Sequence, residues 1–424
     1  MRSPLFWERS DIQIQAILRK FCKRGFSVDV TRPFEGIKII ELSTMITAAQ
    51  ASLILGGQGA ETIKVEPLGT GDPLRVIGSQ KKQVSAFYSN FNRGKRSLVV
   101  ELKDQRGQEI VQRLAHEADI LISNYRPGVL NRLGLGYDTL SAQNPNLIYM
   151  AISGFGETGP MSSAPAYDHV IQAMTGFTAV QGMEQKPDYI RTPLCDKITG
   201  YTAAQALSAA LYTRERQGRG QFIELSMLEA CLAFIWPDGL MHYTMLDPDV
   251  MDLVPFSHYY QILELSDGYL ACSPLTDAHW EAIFTLLDRP ELRDNPLFAT
   301  AASRLMNAGP VMAEIGNGRV NRTVKEALEI LATGDVPCGA SAPLPEVHQN
   351  PQIVARESLE EFTDTDLGHM RVPRPPVRFD GQKSSLPAAG PLHGKHTLEI
   401  LSELGYQEDQ IEKLEQDGVV KILA

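Results

Sequence analysis

The chain has 424 residues, more than one ordinary domain of about 100–200 residues holds, so two folding units are expected. Its 34 Gly and 26 Pro are too few and too scattered for a disordered or collagen-like protein. With 40 Lys and Arg against 51 Asp and Glu, the net charge is −11. That balance argues against a nucleic-acid or anionic-membrane binder and requires any anionic ligand to be caught by a local basic patch.

The most apolar stretch, residues 225–246, is interrupted by Glu229, Pro237, Asp238 and His242. It falls short of the ~20 apolar residues a membrane helix needs. Cys22, Cys195, Cys231, Cys272 and Cys338 are odd in number, far apart in sequence and form no C-x-x-C. This pattern points to reduced thiols in a cytoplasm-like compartment.

The first 35 residues stand apart. Ile12, Ile14, Ile17, Leu18 and Phe21 alternate with Arg19, Lys20, Lys23 and Arg24, the pattern of a basic amphipathic helix. No continuous apolar core follows, which disfavours a signal peptide. A structural extension and a mitochondrial transit segment both stay open.

From residue 36 the pattern is that of alternating strands and helices. Strands are predicted over 37–42, 61–66, 97–102, 119–122 and 146–152, with helices over 48–57 and 104–118. Such alternation indicates a parallel, doubly wound α/β sheet, whose ligands sit at the carboxyl ends of strands. The loops after residues 42, 66, 122 and 152 are therefore the candidate ligand loops. Residues 199–236 read as long-helical with a turn at 217–220. A smaller unit is predicted from about 266 to 342, residues 368–391 read as an extended Pro- and Arg-rich loop, and helices over 397–404 and 407–416 close the chain.

Three loops carry candidate chemistry. The segment from Ser123 to Gly128, with Asn124, Tyr125 and Arg126 and followed by Arg132, offers a ring to stack on and guanidinium groups to pair with phosphate. An ordinary solvated turn is the plainer alternative. The cluster Asn92, Arg93, Gly94, Lys95, Arg96, with Lys103 beyond, fits either phosphate capture or strand-edge decoration. Three glycines within residues 153–160 allow a backbone to approach a ligand closely, or simply turn the chain. Neither a dinucleotide G-x-G-x-x-G nor a P-loop is present. His393 and His396 lack the partners of a metal site, so no metal is expected. Asp168, between Tyr167 and His169, is expected to cap a helix.

Taken together, these segments carry a more specific signal. The ordered stretches GAETIKVE (59–66), GDPLR (71–75), NRGKRSLVVELKD (92–104), NYRPGVLNRLGLGYDTL (124–140) and NPNLIYMAISGFGETGP (144–160) are followed by PAYDHVIQAMTG (165–176), RQGRGQFIELSMLEA (216–230), SDGYLA (266–271) and HGKHTLEILSELGY (393–406). The chain from about residue 34 onward resembles the CaiB/BaiF family of CoA-transferases.

The resemblance implies an α/β fold with a Rossmann-like large domain built from both chain ends, a smaller second domain and an interlocked homodimer. It divides the chain into an extension (1–35), a large domain (36–225 and 343–424), linker helices (226–265) and a small domain (266–342). It implies exchange of CoA between an acyl-CoA and a small free carboxylic acid, with CoA as substrate and no resident cofactor. The positions implied for CoA binding are residues 100–103 including Lys103, then Asn124, Tyr125, Arg126 and Arg132, and residues 152–156 including Ser153, Gly154 and Phe155. In the family an aspartate forms a mixed anhydride with the acyl group and then a thioester with CoA.

Three departures bear on the mechanism. The position of the family's nucleophilic aspartate is Gln185, which cannot form an anhydride. Glu184, one residue earlier, takes its place as provisional nucleophile, with Asp188 more remote. The glycine-rich loop that shields the family's intermediate has no counterpart around residues 251–258. In the racemase branch of the superfamily a His–Asp pair moves the α-proton; here the His position is Tyr167, while Asp196 retains the carboxylate. A racemase or isomerase using Asp196 with Tyr167, and a CoA-binding homologue without transferase activity, are the alternatives.

Overall fold

The computed structural model describes residues 32–182, 186–251, 253–316 and 320–423. The amphipathic stretch read in the first residues lies outside them, as do Glu184 and Gln185.

Six strands form the central sheet: β1 (Lys38–Leu42), β2 (Glu61–Glu66), β3 (Arg96–Val99), β4 (Ile120–Ser123), β5 (Ile148–Ser153) and β6 (Phe222–Ser226). Their spatial order is β3-β2-β1-β4-β5-β6, and every pairing is parallel. This is the doubly wound order, in which connections on the two sides of β1 run to opposite faces. The interior strands are near-continuous apolar runs because helices cover both of their faces. On one face lie α1 (Thr47–Gly56) and, further along the chain, a 24-residue helix, Leu194–Gln217. Ala48, Ala51, Leu55, Ala203 and Leu207 pack there against Ile39, Ile122 and Ile152.

The other face is covered by α3 (Gln105–Glu117), which follows α2 (Ala86–Asn92). Asp104 starts α3 by accepting the Arg106 amide hydrogen through Oδ1, satisfying one of the free donors of the first turn. Ile110, Val111 and Leu114 form its buried stripe. Ile400, Leu401, Ile411, Leu414 and Val419 from the last 30 or so residues join the same core. Val420 also bridges Val100 beyond β3.

Between β4 and β5 lie α4 (Val129–Arg132) and α5 (Tyr137–Gln143); after β5 come α6 (Asp168–Thr175), α7 (Phe177–Gly182) and α8, the 24-residue helix. Strand β6 then leads into α9 (Met227–Gly239). The expected turn at 217–220 is present, with Gly218 in the left-handed region at the end of α8. The continuous helix expected beyond it is not. Phe222, Ile223 and Leu225 extend instead as a strand, because β5 presents an open edge for them to pair along.

A second core lies between residues 262 and 340, where β7 (Ile262–Glu264), β8 (Tyr269–Cys272) and β9 (Cys338–Ala340) form an antiparallel sheet in the order β9-β8-β7. Against it pack α10 (Asp277–Leu287), α11 (Ala301–Met306), α12 (Ala308–Gly316) and α13 (Val324–Ala332). Trp280, Phe284 and Phe298 meet edge-on or tilted at its centre. After α14 (Pro351–Ala355), the region read as an extended loop proves to contain half of a hairpin. It is formed by β10 (Leu359–Asp364) and β11 (Gly368–Pro373). Glu361 accepts from the Arg371 guanidinium across the two strands at 2.6 Å, and such a partner cannot be inferred from residues 368–373 alone. Helices α15 (Thr397–Glu403) and α16 (Glu408–Gln416) end the chain.

Candidate active site

In a doubly wound sheet the crevice opens where the strand order reverses, here between β1 and β4. A cleft of about 420 Å³ lies at that point. Its walls come from the loop after β1 (Thr44, Met45, Thr47), the loop after β4 (Asn124 to Pro127), the end of β5 (Ile152, Ser153, Gly154), the segment 162–167 and Asp196 of α8. Of the loops after residues 42, 66, 122 and 152, three thus converge on one cavity. The loop after residue 66 acts from below: Asp72 Oδ1 accepts the Met45 amide hydrogen at 3.2 Å. Met45 stands at φ +65°, a strained value for a side chain of its size.

Asn124 fastens the two sides of the cleft. Its Nδ2 donates to the Thr44 carbonyl at 2.6 Å and to the Thr47 hydroxyl at 3.0 Å, while its Oδ1 accepts the Thr44 amide hydrogen at 3.0 Å. The side chain is therefore committed to the protein rather than free for CoA. Tyr125 is half-buried, and burial raises its phenol above the usual range. Arg126 is exposed and lines both this cleft and an adjoining hollow of about 240 Å³ bounded by Tyr137, Tyr149, Glu157 and Phe222. An exposed guanidinium between two hollows, with a half-buried ring beside it, suits a ligand that carries phosphate and an aromatic base.

Gly154 forms part of the floor. A Cβ there would stand 2.3 Å from the Ala166 Cβ, so only glycine admits this approach of the 162–167 segment. Ser153 Oγ accepts the Gly156 amide hydrogen at 2.9 Å and fixes the turn out of β5. Phe155 turns away from the cleft into the apolar cluster around Ile171 and Met227. Arg132, exposed on α4, lies over Gly128 with Nη1 3.5 Å from where a Cβ would stand. Lys103 is exposed beyond the end of β3 and outside the cleft lining. The cleft thus gathers Asn124, Tyr125, Arg126, Ser153, Gly154 and Asp196, but not Lys103, Arg132 or Phe155.

The basic cluster at 92–96 does not face a ligand either. Lys95 is buried, donating to Glu41 Oε2 at 2.7 Å and to the Ala49 carbonyl at 3.0 Å. Arg96 pairs with Glu399 and Glu403 of α15. Burial lowers the Lys95 ammonium to about 8 despite its contact with Glu41. His393 and His396 are half-buried and structural: His396 Nδ1 accepts the Ser97 amide hydrogen at 3.1 Å. Among the described residues no group of three or more His, Cys, Asp or Glu is placed to hold a metal.

Asp196 and Asp168 form the site's acidic pair. Asp168, the first residue of α6, caps a different helix from the one it starts. Its Oδ2 accepts the Asp196 amide hydrogen of α8 at 3.1 Å, and its Oδ1 accepts from Gln172 Nε2 at 2.5 Å. Asp196 is 8% exposed and lines the cleft. Burial, then the charge of Asp168, push its carboxyl up to about 7. A carboxyl poised there holds or yields a proton near neutrality. Asp188, the remote nucleophile candidate, is turned elsewhere: Oδ1 accepts the Tyr189 amide hydrogen, and the side chain is half exposed near Arg191. Thr44, Met45 and Thr47 lie in and just past the loop after residue 42, which was expected to bear a ligand, but were not singled out as residues; Met227 was not foreseen, and only the fold brings it to the cleft.

Fold and cleft define an open α/β protein that receives its ligand at the switch point of a parallel sheet. A model of CoA-transferase family III matches residues 34–397. The mouse succinyl-CoA:glutarate CoA-transferase is 32% identical over 403 residues, covering 93% of this chain and 91% of its own length. The acetyl-CoA:oxalate CoA-transferase of Acetobacter aceti is 32% identical over 82% of this chain and 90% of its own. Among solved structures, a CaiB/BaiF family protein from Brucella suis superposes with a TM-score of 0.76 at 30% identity, covering 88% of this chain and all of that one. The chain belongs to CoA-transferase family III. It is a CoA-transferase, acting between an acyl-CoA and a carboxylic acid.

Proposed function

We propose that the chain carries the acyl exchange on a carboxylate of its own, Glu184, with Asp196 as the proton-bearing group of the cleft. The Glu184 carboxylate attacks the thioester carbonyl, CoA leaves as thiolate, and a mixed anhydride forms. The thiolate attacks the glutamyl carbonyl, releasing the donor acid and leaving a glutamyl-CoA thioester. The acceptor carboxylate then attacks that carbonyl and displaces CoA thiolate. A last attack by the thiolate on the acceptor's carbonyl yields the new acyl-CoA and restores Glu184. Splitting the exchange in this way conserves the thioester's energy as long as water is excluded.

The observation that carries the reading is Asp196. It is buried, lines the cleft and stands over Asp168, and burial with that charge pushes its carboxyl up to about 7; in its protonated form it can donate a hydrogen bond to the acyl oxygen as negative charge develops. Tyr125 and Arg126, with Arg132 and Lys103 further out, are assigned to the CoA moiety; Asn124, Ser153 and Gly154 shape its seat. Short dicarboxylic acids, the kind named for several relatives, are the first acceptors to try.

We read the large domain as residues 36–225 and 343–424, the small one as 266–342 and the linker helices as 226–265, and the assembly as an interlocked homodimer. Phe234 and Trp236 on α9, followed by Tyr243, Met245 and Leu246, expose a run of large apolar side chains that supports burial in a partner. The cytoplasm is the proposed location, with the mitochondrial matrix left open by the basic N-terminal stretch. Among the described residues no helix is long and apolar enough to cross a membrane.

One observation favours a second reading: Asp196 and Tyr167 line the same cleft, as proton transfer at the α-carbon of an acyl-CoA would require. Mass spectrometry in D₂O, with acyl-CoAs crossed against free carboxylic acids, separates the two. A new acyl-CoA that disappears with Glu184→Gln supports the proposal. Transfer retained by Glu184→Gln removes Glu184 as nucleophile. Deuterium entering an otherwise unchanged acyl-CoA supports the racemase reading. CoA binding with neither reaction across the panel leaves a CoA-binding homologue.

A further inference from the structure

The cysteines that are far apart in sequence are not all far apart in the fold. Strands β8 and β9 pair antiparallel, and Cys272 stands directly opposite Cys338. The hydrogen bonds on either side fix the kind of position this is. The Ser273 amide donates to the Pro337 carbonyl at 2.9 Å, and the Ser341 amide donates to the Tyr269 carbonyl at 2.8 Å. Residue pairs alternate along an antiparallel ladder between hydrogen-bonded and non-hydrogen-bonded. Because 273 with 337 and 269 with 341 are bonded pairs, 272 with 338 is a non-bonded one. There the Cα atoms approach to about 4.5 Å and the side chains lie closest, on the same face of the sheet. That separation falls at the short end of the disulfide range of about 4.4–6.8 Å.

We propose that Cys272 and Cys338 form a reversible dithiol–disulfide pair that, when oxidised by a small-molecule disulfide such as oxidised glutathione, staples the small core of this transferase. Cys338 is exposed on the edge strand, and Cys272 is half-buried against the core around Trp280. The Cys338 thiolate attacks one sulfur of oxidised glutathione and releases a first glutathione thiolate. The Cys272 thiolate then attacks Cys338 Sγ and releases the second. Two protein thiols lose two protons and two electrons, and the small disulfide gains both as two glutathione molecules.

The bond would close a loop of about 65 residues containing α10 to α13, which removes freedom mainly from the unfolded chain. Burial and the neighbouring sulfur push the Cys272 thiol up to about 11, and burial also raises Cys338. Both thiols are therefore poor nucleophiles at neutral pH, and closure quickens as pH rises. The other described pair behaves differently. Cys195 and Cys231 are fully buried side by side between α8 and α9, out of reach of a soluble disulfide.

The test is incubation of the reduced, folded protein with oxidised glutathione, followed by peptide mapping without reduction and by thermal unfolding. The expected result is a Cys272–Cys338 cross-linked peptide, reversed by dithiothreitol, formed several-fold faster at pH 9 than at pH 7. The oxidised protein should melt several degrees higher. Cys272→Ser should instead accumulate glutathione on Cys338, because nothing resolves the adduct. A stable glutathione adduct on Cys338 in the unmutated protein, or two free thiols after prolonged incubation at pH 9, would overturn the proposal.

Discussion

Asn124 and Thr44, 80 residues apart in sequence, exchange two hydrogen bonds across the switch point of the sheet: the Asn124 amide donates to the Thr44 carbonyl and accepts from the Thr44 amide. One carboxamide thereby sets the width of the cleft between the loops after β1 and β4. Asn124→Asp keeps the acceptor but turns the donor into a carboxylate facing the Thr44 carbonyl, whereas Asn124→Ala leaves both backbone groups unmet. Either change should lower kcat/KM for acyl-CoA by about 10- to 100-fold, reflecting roughly 1–3 kcal/mol for the lost pair. Circular dichroism should be unchanged. Steady-state kinetics check this, and unaltered kinetics in both variants would show that the cleft does not need the bridge.

The Asp168–Asp196 pair makes a pH signature. Asp196 stands near 7 in the folded chain and near 4 in an unfolded one. Between those values the folded state binds the extra proton, so stability falls as pH rises from about 4 to about 7 and stays low above that. Asp196→Asn removes the titration. The variant should be more stable than the unmutated protein at pH 8, by on the order of 2 kcal/mol, with the difference shrinking towards pH 4. Denaturant melts across that range provide the measurement. A constant difference at all pH values would mean that Asp196 is ionised throughout.

How much of this was legible follows from what each feature depends on. Strand β2 was predicted at its observed limits, and α3 within a residue at each end, because buried runs and a 3–4 spacing record burial directly. Tyr125 and Arg126 were found because they sit at a strand's carboxyl end. Lys95 misled, since a lysine bound for the interior is written like one bound for solvent; only Glu41, brought alongside by the parallel order, distinguishes them. Asp168 does cap a helix as expected, but which one was hidden for a similar reason, because that helix begins 26 residues later. Strand β6 and the β10–β11 hairpin depended on partners, an open sheet edge and Glu361, that no local window contains.

Gly154 tests the floor of the cleft. Gly154→Ala forces a Cβ against that of Ala166, and the relief available is displacement of the 162–167 segment with Tyr167. The variant should fold with a loss of about 1–3 kcal/mol and with KM for acyl-CoA raised about tenfold or more. Gly159→Ala provides the contrast. A Cβ at Gly159 meets nothing within 4 Å, so its cost is confined to its left-handed backbone and KM should hold. Equal effects on KM from both would show that the Ala166 contact does not shape the cleft.

Beneath the cleft lies a network of charges that the chemistry does not touch. Glu41 at the end of β1 accepts from Lys64 at 2.7 Å and from Lys95 at 2.7 Å, and Lys64 also reaches Asp72 at 3.0 Å. Glu66 pairs with Arg75 at 2.6 Å and accepts from Ser97 at 2.7 Å. All of these side chains are buried. The cations hold Glu41 well below the usual carboxylate range and Glu66 at about 2 against the opposing cost of burial, and Glu41 in turn raises Lys64. Lys64→Met should cost about 3–5 kcal/mol, because it strands Glu41 and Asp72 without their shared cation. Its effect should reach the cleft as well, since Asp72 holds the Met45 amide at its unusual backbone angle. Replacing Asp72 alone by Asn keeps an acceptor for that amide while leaving Lys64 one anion short. Asp72→Asn should therefore lower stability with KM nearly unchanged, whereas Lys64→Met should lower stability and raise KM together. If Lys64→Met melts lower but binds acyl-CoA as before, the network supports the sheet and has no hold on the Thr44–Thr47 wall.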